Sequence, residues 1–549
     1  MIVAPESLLK YSAIELSRAL HSRQVTAVDL MHETLHRIDA INPQINAVVS
    51  LEQNRDRLME EARRADEILD GIAAAVNNND ASDDSLILSS KNNDWLRGIP
   101  MAIKDLEDAQ GFPTTKGCPI YGTYNDESTS WHFDNQTEDA PYVHRLRKAG
   151  AIIIGKTNTP ELGAGCHSYN PIFGTTVNPM DVSKAAGGSS GGAGAALASY
   201  MFCALDGSDM MGSLRNPAGW NSLYSLRPTV EWMEEEQVVD DELVDNDADD
   251  QNVKMPWPMS TIGPMGRCPE DLALMLQTMI PAGRAELFDA ASILDQSSEQ
   301  LSQIVKGKTI GWLADWGGEY PMEAGVLQQC RESLDIFTKG NVDVQCVATP
   351  LFSSKELWES WIIIRSHLIF NSLHEQIGGD RCDVLQTLKE RGVKAEVIYE
   401  CERGFKLTKE QIHDRLRMVQ AWSTCAENEF GSKYDFLALP SSQTYPFDAS
   451  LDWPKSIAGK KMDTYHCWME VMVPVTVAGL PCVTIPAGIG SRGLPIGVQI
   501  FGPKGSDAKL LQLACWYSRY CKGDYVCELT FRIPQDEENE IDIREESRA

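Results

Sequence analysis

Apolar and polar positions follow two different periods along the chain, and each period predicts a different element. Near the N-terminus apolar side chains recur at helical spacing, from Leu16 and Leu20 to Leu35 and Ile38. Ser12, with Glu15 three residues later, is typical of a capping box at the start of a helix. The pair Asn42-Pro43 is predicted to end this pattern. Further on, short apolar runs predict buried strands at 98–103, 151–156, 309–313, 436–440, 483–486 and 497–502.

Helical patterns alternate with these runs, and this order predicts an α/β architecture. They lie at 55–69, 143–149, 270–280, 356–377, 409–430 and 507–520. The segment 193–204 contains no charged residue, which is typical of an element buried on every side. No long linker interrupts the chain, so residues 1–549 are predicted to form one large domain.

Three polar stretches predict surface insertions in that domain. Residues 71–95 are rich in Asn, Asp and Ser, residues 122–141 are also polar, and the insertion at 231–254 is dominated by Asp and Glu. The acidic tail from about residue 535 is predicted to fray.

Composition narrows the classes of function and partner. The chain has 43% hydrophobic and 23% charged residues, as globular proteins do, and a net charge of −30. Such acidity argues against nucleic acid or an anionic membrane as the main partner. We expect no signal peptide and no membrane span, because no uninterrupted apolar stretch of about 18 residues occurs.

Cysteine usage and the motif inventory add two expectations. The 14 cysteines are scattered singly with no CxxC pair, which favours free thiols and a cytoplasmic location. The chain has no phosphate-binding GxxxxGK[ST] loop, no HExxH and no paired-cysteine site, so we expect neither a cofactor nor a metal.

Candidate chemistry lies in two glycine-flanked turns and one lysine. The first serine turn is 187–192 (GGSSGG) and the second serine turn is 207–213 (GSDMMGS). A serine on a tight turn beside buried structure is a plausible nucleophile, and backbone N–H groups of such a turn can hold an oxyanion. Lys104 ends the apolar run 98–103, where burial disfavours the charged form, so a neutral lysine could activate a serine. Each residue alone is more often a surface charge or a turn residue.

Taken together, the motifs make the chain similar to the amidase signature family of Ser-Ser-Lys hydrolases. The similarity covers most of the chain, and it includes the lysine motif, both serine motifs, GLKPT, SxxGPMxR and the C-terminal GLP segment, at 98–105, 187–192, 207–218, 225–229, 260–267 and 479–503. It implies a large mixed β-sheet covered by helices on both faces, with the active site above the sheet.

The resemblance also implies a role for each central residue. Ser213 would be the nucleophile, Ser189 the bridging serine with a cis peptide bond, and Lys104 the base at the end of the relay. The backbone N–H groups of Met210, Met211, Gly212 and Ser213 would hold the oxyanion. A last group, which would support the loops through hydrogen bonds and an ion pair, comprises Ser190, Asp209 and Arg215. Cys166 and His167 lie near the motifs but are expected in the core.

The second serine turn departs from the family pattern, which usually reads Thr-Gly-Gly-Ser. Met210 replaces the threonine and Met211 replaces a glycine. If the second position needs positive φ, methionine is strained there, and its side chain adds bulk beside the acyl pocket. Milder departures are Ala186, where a proline is common, and Thr476, where asparagine is usual.

Three hypotheses for function follow from the motifs and their departures. The first is an amidase acting on a small or hydrophobic carboxamide. The second is an A-type component of a glutamyl-tRNA amidotransferase, which would need partner chains. The third is a binding protein that keeps the fold but has lost turnover through Met211.

Overall fold

Helices and strands alternate along most of the chain in the computed structural model, which describes residues 7–76, 94–125, 130–235 and 255–521. In these ranges the α-helices are α1 (Ala13–His21), α2 (Ala27–Ile45), α3 (Arg55–Val76), α4 (Pro141–Lys148), α5 (Gly191–Ala198), α6 (Arg215–Trp220), α7 (Pro269–Met279), α8 (Ala291–Leu294), α9 (Ser298–Val305), α10 (Val326–Asp335), α11 (Ser354–Ile377), α12 (Arg381–Glu390), α13 (Ala395–Lys406), α14 (Lys409–Glu429), α15 (Val473–Val477) and α16 (Asp507–Tyr520).

The strands of the same ranges are β1 (Val48–Val49), β2 (Pro100–Lys104), β3 (Thr123–Asn125), β4 (Ser130–His132), β5 (Ile152–Thr157), β6 (Tyr169–Asn170), β7 (Gly174–Thr175), β8 (Val177–Asn178), β9 (Asp181–Ala185), β10 (Ala204–Asp209), β11 (Tyr224–Arg227), β12 (Thr261–Gly266), β13 (Thr309–Trp312), β14 (Asp343–Cys346), β15 (Phe436–Pro440), β16 (Ser456–Ile457), β17 (Lys460–Lys461), β18 (Cys482–Ile489) and β19 (Pro495–Phe501).

The main sheet has eight strands in the order β10-β12-β11-β18-β19-β15-β13-β14. It is mixed, because β13 pairs in parallel with β14 and β15 while the other neighbours are antiparallel. A three-stranded sheet, β1-β5-β2, lies beside the β10 edge. The prediction of a large mixed sheet in an α/β domain covered by helices is confirmed.

Several elements predicted from periodicity appear at or close to the expected bounds. The capping box of α1 forms, with Ser12 and Glu15 each accepting a backbone N–H of the other. The uncharged segment 193–204 divides into buried α5 and the start of buried β10. Apolar periodicity succeeds here because it reports directly on which side chains leave water.

One predicted boundary was wrong. Helix α2 continues through Pro43 and ends at Ile45, instead of ending at Asn42-Pro43. Pro43 lies in the last turn, where one missing N–H has little helix left to disrupt. Asn42 then redirects the chain: its side-chain oxygen accepts the N–H groups of Ala47 and Val48, and its amide donates to the carbonyl of Val48.

The predicted insertions lie partly outside the described residues. Residues 71–76 belong to α3, and Trp95 is buried with its indole N–H donating to Thr278 Oγ1 at 2.9 Å. Strands β3 and β4 form an exposed hairpin within 122–141. Residues 77–93, 126–129 and 236–254 lie outside the described part, as does the predicted frayed tail. Within the described part, no helix has both the length and the apolar character of a membrane span.

Candidate active site

Lys104 ends strand β2 and lies beneath both serine turns with no exposed surface. Its Nζ is 2.7 Å from Ser189 Oγ, 2.9 Å from Ser190 Oγ and 2.9 Å from Ser208 Oγ. The structure therefore brings the predicted base into direct contact with the predicted bridging serine. Ser208, two residues after Asp206 on β10, was not among the predicted site residues.

The environment of Lys104 favours the neutral amine, which a base must be. Burial lowers the pKa of Lys104 from 10.5 to about 7, against the opposing charges of Asp206, Glu107 and Asp209. An ordinary lysine would be almost fully protonated at neutral pH, whereas this one is about half neutral.

The first serine turn holds Ser189 and Ser190 against the lysine. The Gly188–Ser189 peptide bond is cis, as the resemblance implied, and Ser189 is nearly buried. Ser190 Oγ also lies 3.3 Å from the N–H of Ser208 and can donate to the carbonyl of Ser208 at 3.4 Å. A Cβ on Gly207 would lie only 2.7 Å from Ser190 Oγ, so the close approach of the two turns requires glycine there.

The hydrogen bonds indicate which hydroxyl can pass a proton to the lysine. Ser190 has the carbonyl of Ser208 as an acceptor for its own proton, so it can accept an N–H from Lys104 at the same time. Ser189 Oγ has Lys104 Nζ as its partner among the described residues. When the amine is neutral, Ser189 can donate to its lone pair and accept from another hydroxyl.

Ser213 lies at the start of α6 and lines the same cavity as Ser189 and Ser208. Its hydroxyl has no hydrogen-bond partner within the described ranges, whereas its carbonyl accepts the N–H of Ser190 at 3.2 Å. This backbone bond ties the two turns together. The predicted nucleophile therefore faces the cavity beside the bridging serine.

The second serine turn accommodates Met211 without backbone strain. Its positive φ is at Gly212, at 82°, and Met211 is absent from the non-glycine residues with positive φ among those described. The strain considered for Met211 therefore does not arise. The Met211 side chain is 5% exposed, packs into the core and lines the cavity, so its bulk does border the substrate space.

Asp209 shapes the second serine turn from below. Its Oδ1 accepts the N–H of Gly212 at 2.9 Å, and its Oδ2 accepts those of Leu214 at 3.2 Å and Arg215 at 3.4 Å. The Gly212 N–H is thus already engaged, which corrects its predicted place among the oxyanion donors. The N–H groups of Met210, Met211 and Ser213 have no acceptor within the described residues.

Two arginines compensate the charge of Asp209, and all three side chains are fully buried. Arg215 forms a bidentate pair, with Nη2 to Oδ1 at 2.9 Å and Nε to Oδ2 at 3.0 Å, and Arg227 Nη1 lies 3.4 Å from Oδ1. Burial alone would raise the pKa of Asp209, but the two arginines hold it well below its usual range. Arg215 also donates to Thr476 Oγ1 at 2.8 Å, so threonine serves at that position. Arg227 lies in the 225–229 motif, which could have indicated its role.

The cavity above the serines has a volume of about 1270 Å³. Its walls are mainly apolar, and much of one wall comes from helix α11, which contributes Leu368, Ile369 and Leu373. Apolar side chains elsewhere in the lining are Leu106, Leu162, Met210, Met211, Met255, Trp257, Met259 and Met469. The volume exceeds the roughly 300–1,000 Å³ of common small-molecule sites.

A buried charged group in the same wall was missed by sequence reasoning. This Arg365 cluster consists of Arg365, Glu400, Tyr465 and His466. Arg365 Nη1 lies 3.2 Å from Met210 Sδ, so the cluster touches the second serine turn. Burial alone would raise the pKa of Glu400, but its hydrogen bonds and the charge of Arg365 lower it to about 2. No local motif marks these residues, which come from three separate segments.

Cys166 and His167 have the core positions expected of them. Both are buried; Cys166 Sγ lies 2.6 Å from the carbonyl of Asp452, and His167 Nε2 lies 2.9 Å from that of Leu451. Burial lowers the pKa of His167 to about 4. Across the described ranges, no group of three or more His, Cys, Asp or Glu side chains is arranged to hold a metal ion.

Comparison with known proteins places this geometry in context. The family model described as Amidase matches residues 29–511. The A-type component of the glutamyl-tRNA(Gln) amidotransferase of Prochlorococcus marinus (strain MIT 9211) is 27% identical, over 92% of this chain and 96% of its own. The protein of the same name from Caldanaerobacter subterraneus subsp. tengcongensis is 26% identical, over 93% and 96%.

Solved structures share the fold at lower identity. A bacterial aryl acylamidase of the amidase signature enzymes superposes with a TM-score of 0.72 and 22% identity, covering 93% of this chain and 96% of that chain. The peptide amidase of Stenotrophomonas maltophilia gives a TM-score of 0.67 and 20% identity, with 93% and 97% covered.

Proposed function

The chain belongs to the amidase signature family, and from that premise we propose that it hydrolyses hydrophobic carboxamides through a serine acyl-enzyme. The observation that carries the proposal is a fully buried lysine of lowered pKa, 2.7 Å from Ser189, at the base of a large apolar cavity that Ser213 lines. A serine needs such a neighbouring base to become a nucleophile.

In the proposed first step Ser213 Oγ attacks the amide carbonyl. Its proton passes to Ser189 Oγ while the proton of Ser189 passes to the neutral amine of Lys104, so one proton enters the relay and none is lost. The tetrahedral oxyanion accepts N–H groups from Met210, Met211 and Ser213. One such donor contributes roughly 10²–10³ in turnover.

In the second half the relay runs in reverse. The Lys104 ammonium returns a proton through Ser189 to the leaving nitrogen, and the C–N bond breaks to leave an ester on Ser213. A water molecule, deprotonated through the same relay, then attacks the ester and releases the acid. Lys104 and Ser189 act twice, first as base and then as acid.

The cavity supports a bulky, uncharged acyl or amine group as the substrate class. Its apolar lining contributes roughly 25 cal/mol for each Å² of apolar substrate surface removed from water. The guanidinium of Arg365 is neutralised by Glu400, 3.3 Å away, so it is not available as a strong anchor for a carboxylate. We therefore favour a large hydrophobic amide over a small one. The free thiols described in the chain suit a reducing compartment such as the cytoplasm.

The test is hydrolysis of neutral aryl amides and carboxamides of increasing acyl length by the purified chain. Ser213→Ala and Lys104→Met should abolish it, while Ser372→Ala, which changes another hydroxyl of the same cavity wall, should leave it near wild type. Labelling by a fluorophosphonate should require Ser213. A chain that is neither labelled nor active on any amide would instead support the binding-protein hypothesis.

A second candidate is the A-type component of an amidotransferase, which the names and coverage of the sequence relatives favour. It predicts glutamine hydrolysis that requires partner chains, with co-purification of a stable complex from the source cells. Hydrolysis of hydrophobic amides by the isolated chain, with no response to glutamine, would count against it.

A further inference from the structure

Asp206 is a buried carboxylate directly beneath the lysine. It lies on β10 with no exposed surface, and its two oxygens are 3.2 and 3.3 Å from the backbone N–H of Lys104. The hydroxyl of Tyr142, on α4, donates to Asp206 Oδ2 at 2.8 Å and is itself 3% exposed. Strand β10 carries Ser208 as well, so one strand contacts Lys104 at both its backbone and its ammonium.

A structural role alone does not account for a carboxylate at this position. The seam between β2 and β10 needs an acceptor for the Lys104 N–H, and an uncharged amide oxygen would supply one. A charge without surface exposure is costly unless its environment compensates it. Two N–H or O–H donors to Asp206 favour its ionised form, and an ionised form acts on the nearby ammonium.

Charged groups from four directions face this pair. Lys156 on β5 and Glu107 after β2 lie on one side, and Asp209 follows on β10. Asp209 is paired with two arginines, and Lys156 lies 3.8 Å from Asp105. Of the groups that favour the charged form of Lys104, Asp206 contributes most, ahead of Glu107 and Asp209.

We propose that Asp206, oriented by Tyr142, is a positioning residue that sets how tightly Lys104 holds its proton and thereby the lowest pH at which the relay works. The inference rests on the proposed role of Lys104 as the base. A negative charge beside the lysine favours the ammonium, which strengthens Lys104 as the acid of the second half-reaction. The same charge limits the neutral amine at low pH.

The test is Asp206→Asn, which keeps an oxygen acceptor for the Lys104 N–H and removes the charge. The acid limb of the kcat/KM profile should move to lower pH by about one unit, which gives the variant up to about a tenfold advantage relative to its own plateau below the wild-type limb. Asp271→Asn is the matched control, because Asp271 is equally buried and accepts the backbone N–H groups of Ala13 and Ile14 far from the site. An unmoved limb in Asp206→Asn would overturn the proposal, and so would an equal shift in Asp271→Asn.

A second measurement needs no turnover. The difference in unfolding free energy between a protein and its Lys104→Met version, followed against pH, reports the proton on Lys104. The pH at which this difference begins to rise should be lower in the Asp206→Asn background than in wild type. Equal pH values in the two backgrounds would refute the role of Asp206, even if the chain proves to hydrolyse no amide. Asp206→Ser, an uncharged acceptor, replaces Asp206→Asn if the amide variant does not fold.

Discussion

Replacing Lys104 by methionine should abolish hydrolysis and at the same time stabilise the protein. Burial lowers the lysine pKa from 10.5 to about 7, a shift that corresponds to about 5 kcal/mol against the buried ammonium. Methionine keeps most of the side-chain volume without the charge. At neutral pH about half of the wild-type lysine is neutral, compared with ~1 in 3,000 for a lysine of ordinary pKa.

The sign of the pH effect follows from proton binding. Between pH about 7 and about 10.5 the unfolded chain holds the lysine proton and the folded chain does not, so the free energy of unfolding rises with pH across this window. Near pH 7 the folded protein therefore loses about 4 kcal/mol relative to a side chain that never titrates. Lys104→Met should recover much of this, less the hydrogen bonds that three serine hydroxyls lose.

The assay is kcat/KM for the best amide from about pH 5.5 to about 9, combined with urea unfolding at both ends of that range. Wild type should gain tenfold per pH unit below about pH 7 and level off above it, and Lys104→Met should fall by roughly 10²–10⁴ with no limb. Burial also raises the pKa of Glu107 to about 7, so Glu107→Gln is the control and should keep the limb. A limb that survives in Lys104→Met, or disappears in Glu107→Gln, would refute the assignment of the base.

Three further substitutions test the second serine turn. Arg365→Met removes the N–H directed at Met210 and leaves a buried carboxylate without its partner, so kcat should fall about tenfold and unfolding free energy by about 3–5 kcal/mol; unchanged values would disprove the contact's importance. Asp209→Asn leaves Arg215 buried without its counter-charge and should cost about 3–5 kcal/mol in urea unfolding above pH ~4. Because the Asp209 pKa is depressed, that difference should shrink as pH falls below about 4, and a difference constant with pH would contradict it. Met211→Gly should keep activity, since Met211 has an ordinary φ, while favouring longer acyl groups; loss of activity at every acyl length would show that the methionine is required.

Periodicity and motifs anticipated much of the fold and the central site residues. Strands β2, β15 and helix α16 appear at or within two residues of their predicted bounds, because the pattern of apolar side chains along a segment is a local property. The contact between Lys104 and Ser189, 85 positions apart, was expected from the resemblance alone, since spacing in sequence carries no information about it. The end of α2 was misplaced because Asn42 acts through its side-chain hydrogen bonds, which no apolar pattern encodes.

The sequence by itself determined which residues carry the candidate chemistry: a lysine at the end of an apolar strand and two serines on glycine-flanked turns. Tertiary structure alone decided how they are used. Asp209 occupies the N–H of Gly212, which leaves the other N–H groups of the turn for an oxyanion. Asp206, 102 residues from Lys104, reaches its backbone, and Arg365, 155 residues from Met210, reaches its sulfur. These contacts depend on strand register and helix packing, and a chain brings such distant residues together only when its core closes.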